Sequence, residues 1–187
     1  HHFSPLRYPG GKTSLTLFFD EIIKKNNLYD GIYVEPYAGG AGAALSLLLL
    51  EKVEKIIIND LDPAIYSFWR SAIFNSDEFI KKIESTPVNL KQWYKQREIY
   101  RDKNSKELGL GFATFFLNRT NRSGIVEGGP IGGYEQKGKW KIDVRFNKKD
   151  LIARIRKISY YQDRITVTNE DGLEMLRKIK KLKKMFV

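Results

Sequence analysis

The chain has 187 residues, 42% of them hydrophobic, with no cysteine and only two histidines, both at its start. That size and composition suit one globular domain with room for an insertion. They exclude disulfides, thiolate metal sites and a cysteine nucleophile, and they leave histidine catalysis or a His-rich metal site without residues. The formal net charge is +11, which favours a polyanionic partner, nucleic acid before membrane.

In chain order, residues 3–12 read as an extended segment ending in a Pro9-Gly10-Gly11 turn. Apolar residues at 15, 18, 19, 22 and 23 give a helical period over 13–26. Ile32 to Pro36 reads as a strand, 41–52 as a helix, 55–59 as a second strand, and 63–74 as a helix with Pro63 in its first turn. The alternation then stops. Helices are predicted over 77–85, 90–102 and 106–118, a Gly-rich polar stretch over 119–141, and a short helix over 151–159. It resumes with a strand at 165–168, a helix at 173–184 and the start of a strand at Met185. The expected organisation is a core part at 1–75, a helical insertion at 76–160 and a return to the core at 161–187. Lysines and arginines opposite Leu173, Leu176, Ile179 and Leu182 make the last helix amphipathic, so part of the basic excess is expected on its solvated face.

The most informative stretch is Tyr33-Val34-Glu35-Pro36-Tyr37-Ala38-Gly39-Gly40-Ala41-Gly42, followed at 56–60 by Ile-Ile-Ile-Asn-Asp. A strand, a glycine turn, a helix and a second strand ending on a carboxylate form the front half of a nucleoside-cofactor site. Three ligands compete for it. A dinucleotide needs a small residue where Leu45 stands, and Glu35 is a poor neighbour for a pyrophosphate. A nucleoside triphosphate is suggested by Gly11-Lys12-Thr13, but a P-loop needs glycine at position 6, which is Leu6. S-adenosylmethionine has a sulfonium, a carboxylate and a ribose, and suits strand-end acids with one lysine. No run is apolar enough to cross a membrane and no signal-peptide pattern is present. A cytoplasmic protein is therefore expected, and His1-His2 reads as a tag remnant.

Several segments, taken in order, resemble the Dam-like (D12 class) adenine-specific DNA methyltransferases. They are Leu6-Arg7-Tyr8-Pro9-Gly10-Gly11-Lys12, Glu35-Pro36-Tyr37-Ala38-Gly39-Gly40, Asn59-Asp60-Leu61-Asp62, Phe115-Phe116-Leu117-Asn118-Arg119-Thr120 with Ser123-Gly124, and Arg145-Phe146-Asn147. The resemblance covers essentially the whole chain. It implies an α/β fold, a Rossmann-like S-adenosylmethionine-dependent sheet with a helical target-recognition insertion, and methyl transfer to the exocyclic amine of a flipped adenine in double-stranded DNA. It carries cofactor contacts onto Tyr8, Lys12, Glu35, Pro36, Gly39, Gly40, Asp60 and Asp171. Asp60 would take the ribose, Lys12 the cofactor carboxylate and Glu35 its amino group. Asp171 serves either the adenine or a helix cap. The insertion offers Arg119, Asn121, Arg122, Ser123, Lys137 and Lys139 for DNA.

The sequence contains no Asp-Pro-Pro-Tyr. In the family this motif follows the strand that begins near Met185, and it would accept hydrogen bonds from the target amine. The expectation is therefore an enzyme of restriction–modification or orphan type that is inactive in these 187 residues alone, the motif being supplied either in cis by a downstream continuation or by a separate half. The alternatives are an RNA methyltransferase on the same fold and a DNA- or cofactor-binding fragment without catalysis.

Overall fold

In the computed structural model, residues 3–8, 15–180 and 184–187 are described. Lys12 and the Pro9-Gly10-Gly11 turn lie outside them. The described residues form two units, one of 3–4, 15–66, 160–180 and 184–187, the other of 5–8 and 67–159.

The first unit is built on four parallel strands in the order β3-β2-β1-β4. They are β1 (Ile32–Glu35), β2 (Lys55–Asn59), β3 (Ile165–Thr168) and β4 (Met185–Phe186). Ile32 pairs with both Lys55 and Met185, and Ile56 pairs with Ile165. The apolar runs Ile-Tyr-Val and Ile-Ile-Ile follow from this placement, since interior strands of a parallel sheet are covered on both faces. Helix α1 (Thr16–Lys25) precedes β1, and α2 (Gly42–Leu49) joins β1 to β2. All eight residues of α2 are buried, as its unbroken alanine–leucine composition requires. Helix α8 (Gly172–Ile179) follows β3. Strand order reverses between β1 and β4, so the crevice at their carboxyl ends is the topological switch point, where open α/β sheets bind ligands.

The second unit is helical: the later part of α3 (Pro63–Phe74), α4 (Ser76–Ser85), α5 (Leu90–Arg101), α6 (Glu107–Thr120) and most of α7 (Lys148–Tyr160). Helix α6 is its axis and is buried along most of its length. Phe68 of α3 stacks on Phe115 at 5.9 Å, and Phe79 of α4 meets Phe115 edge-on at 5.4 Å. Gly111 lets α6 approach the α3 backbone; a Cβ there would lie 2.4 Å from the Ser67 carbonyl oxygen. This packing puts the division inside α3, where the sequence reading put it after Asn75. Residues 5–8 also join the helical unit. The Asn118 side chain accepts the Arg7 N–H and donates to the Arg7 carbonyl, both at 2.8 Å, in the manner of a strand partner.

Helix α7 begins at Lys148, ahead of the expected Leu151, because Asn147 caps it: its Oδ1 accepts the Asp150 N–H at 3.1 Å. The basic excess is distributed in a way the amphipathic reading of α8 did not anticipate. Residues 5–9 and 67–159 hold 21 lysines and arginines against 10 aspartates and glutamates, a balance of +11 that equals the whole chain's. In the sheet unit the basic residues, α8's included, are matched by acids.

Candidate functional site

Beyond Glu35 the chain leaves β1 through a tight turn. Gly39 and Ala41 both take left-handed backbone angles, each with φ +47°. Glycine adopts this freely, while alanine does so at a cost held by its surroundings. Asp60, at the end of β2, organises the turn. Its Oδ2 accepts the Gly39 N–H at 2.8 Å and its Oδ1 accepts the Asp62 N–H at 3.0 Å. Each carboxylate oxygen has a second acceptor position, so Asp60 can brace the turn and still receive a pair of vicinal hydroxyls. Asp62 caps α3 through the Ala64 N–H at 2.8 Å, which relieves Asp60 of that duty.

Asn59 is the residue that sequence reasoning passed over. It is buried. Its Nδ2 donates to the carbonyls of Pro36 and Glu170, both at 2.9 Å, while its Oδ1 accepts the Thr168 hydroxyl at 2.7 Å and the Glu170 N–H at 3.0 Å. One amide thus ties together the ends of β1, β2 and β3. A buried polar residue closing an apolar strand was the available signal. Asn169 adds a second tie, donating to the carbonyls of Asp60 at 2.7 Å and Leu61 at 3.0 Å.

Tyr37, Leu61 and Leu173 follow the ends of three adjacent strands and all are exposed. Each presents apolar surface beyond the carboxyl end of its strand. The Tyr37 ring lies over Gly172, where an added Cβ would sit 2.6 Å from Cζ.

Glu35 is also tied into the turn. It is buried, and its Oε2 accepts the Ala44 N–H at 3.1 Å in the first turn of α2. It therefore anchors the helix to the turn. Burial, and then the Glu35 charge, push the Tyr33 phenol well above its ordinary range. Asp171 caps α8, its Oδ1 accepting the Leu173 and Glu174 N–H groups at 3.0 and 3.1 Å. Pro36 presents its carbonyl to Asn59, and Gly39 and Gly40 are buried in the turn. Tyr8 is exposed and belongs to the helical unit.

In the helical unit Asn121 departs from expectation. It is fully buried. Its Oδ1 accepts the Trp93 indole N–H at 2.6 Å, and its Nδ2 serves the carbonyls of Ile125, Val126 and Gly128. The side chain is consumed in folding the Gly-rich stretch and has nothing left for DNA. Arg119 donates from Nε (2.7 Å) and Nη2 to the Arg145 carbonyl. Burial, and then the nearby guanidiniums of Arg7, Arg154 and Arg145, lower its pKa to about 10, with only Asp150 opposing. This cluster brings four guanidiniums close together. Arg122, Ser123, Lys137 and Lys139 are exposed, and Lys137 is paired with Glu135.

Among the described residues no group of acids or histidines could hold a metal ion, and no helix is long and apolar enough to cross a membrane. A comparison with curated proteins finds no match. A scan against protein families does: residues 8–182 match one family model, a span that takes in parts of both units, with the glycine turn, Asp60 and the Gly-rich stretch inside it. The chain belongs to the D12 class N6 adenine-specific DNA methyltransferases.

Proposed function

We propose that the sheet unit binds S-adenosylmethionine at the β1–β4 switch point and that the helical unit grips double-stranded DNA so that an adenine can leave the stack. The observation that carries the cofactor reading is Asp60, a strand-end carboxylate held by two backbone N–H groups and still open to two hydroxyls. The donor set fits that ligand. There is an acid for the ribose, a glycine turn for close backbone approach, apolar side chains at Tyr37, Leu61 and Leu173 for the adenine, and Asp171 at its edge. In sequence, Tyr8 and Lys12 match the positions at which the family meets the methionine end.

S-adenosylmethionine, when bound, supplies a sulfonium methyl group open to displacement. The chain's own part is positioning. Asn59 and Asn169 lock the strand-end loops together, Asp60 fixes the ribose, and the exposed apolar residues shield the site from water. On the helical unit the arginine cluster and the +11 balance supply phosphate contacts. Extruding a base costs a few kcal/mol, offset by contacts made to the opened duplex. The 187 residues contain no Asp-Pro-Pro-Tyr.

The test is calorimetry with S-adenosylmethionine. Asp60→Ala is expected to weaken binding about ten-fold or more, since charged hydrogen bonds contribute roughly 1.5–3 kcal/mol. Unchanged affinity in a folded variant would remove Asp60 from the ribose site.

A further inference from the structure

The Gly-rich stretch of the helical unit is a built surface. Gln136 Nε2 donates to the carbonyls of Ile131 at 2.8 Å and Gly133 at 2.7 Å, and its Oε1 accepts the Ile142 N–H at 2.9 Å. Lys141 Nζ closes the far side on the carbonyls of Gln136 at 2.6 Å and Gly138 at 3.1 Å. Gly132, with φ +86°, has no room for a side chain: a Cβ there would lie 2.8 Å from the Trp140 carbonyl oxygen. The Trp140 backbone is thereby pinned against the glycine turn. At the adjoining Gly133, with φ +78°, an added Cβ would sit 3.8 Å from Nη2 of Arg122. One rigid turn therefore has an indole-bearing residue against one glycine and a guanidinium beside the next.

Trp140 is 60% exposed, whereas Trp69 and Trp93 are 1% and 0% exposed. Lys139 Nζ lies 5.4 Å from the Trp140 ring centroid. A large ring held in water on an ordered, basic platform suits a partner that is both flat and anionic. Nucleic acid has both properties, and aromatic side chains stack on any unpaired base through its π face.

We propose that Trp140 is a stacking surface for an unpaired nucleobase of the DNA, with Arg122 holding a phosphate beside it, a role that rests on the DNA reading above. Stacking needs the base, and phosphate contact does not. Two probes separate them: a duplex carrying bulged adenines, and the same duplex with those bases replaced by abasic sites. The full chain is expected to bind the adenine bulge about five-fold more tightly than the abasic one, with quenching of the exposed tryptophan's emission. Trp140→Ala should abolish the preference and the quenching while Trp140→Phe keeps the preference. The buried Trp69 and Trp93 report that each variant is folded. Equal affinity for the two duplexes, or a preference that survives Trp140→Ala, would overturn the stacking role while leaving DNA binding in place. Failure to bind either duplex would instead remove the DNA reading, and the stacking role with it.

Discussion

At the residue scale, two asparagines and an arginine show how polar residues take on structural duties. Asn59, Asn121 and Arg119 each satisfy backbone groups that would otherwise be stranded, and most of these partners are distant in sequence, Asn121's loop carbonyls excepted. Asn59 is the most exposed to test. Asn59→Ala would leave the Glu170 N–H, two carbonyls and the Thr168 hydroxyl without their partner in a buried place. A loss of about 2–3 kcal/mol in urea denaturation is expected, and cofactor affinity should fall with it because the strand ends drift apart. A loss below about 0.5 kcal/mol would mean that water replaces the amide and that the strand ends are held by other bonds. Of the candidate site, the Gly39–Gly40 turn and Asp60 were legible because strand-turn-helix geometry constrains residue type locally. The duties of Asn121 and Glu35 were not, since an amide or carboxylate in a sequence gives no sign of whether it faces water or a backbone folded over it.

At the scale of elements, β2, α3 and β3 begin and end where the sequence reading put them. Their apolar runs are bounded by charge, proline or acid, and those signals are local. The division inside α3 was illegible because it depends on which partner each half of a helix packs against. Gly111 shows the cause. It sits in α6 against the backbone of Ser67, with 2.4 Å to the carbonyl oxygen for any added Cβ, while Gly109, on another face of the same helix, would meet nothing nearer than the Ile99 side chain at 3.8 Å. Two glycines in one helix thus have opposite expected outcomes. Gly109→Ala should stabilise by roughly 0.5–1 kcal/mol, the helix propensity gain. Gly111→Ala should destabilise by roughly 1–3 kcal/mol, since α3 and α6 must separate. Thermal unfolding of both variants checks this, and a stabilising Gly111→Ala would show that α3 and α6 can part at little cost.

For the whole molecule, the charge divides with the fold. The sheet unit is balanced, and the helical unit carries the entire +11. The basic residues on the solvated face of α8 are offset by acids elsewhere in the sheet unit, so the net excess lies with the helical unit. The separation predicts where salt should act. If phosphates are met by the helical unit, Arg122→Glu with Lys139→Glu should remove two cations that displace counterions from DNA. Affinity should drop, and the slope of log affinity against log salt should flatten by about 2, near 0.9 for each phosphate no longer neutralised. The same reversal at Arg177 and Lys180, exposed on and just after α8, changes the net charge equally and should leave the slope nearly untouched. Titrations of one duplex across a range of salt concentrations, with all three proteins, make the comparison. Matching slopes for the two double variants would mean that DNA responds to the total charge of the chain and that the helical unit is not its face.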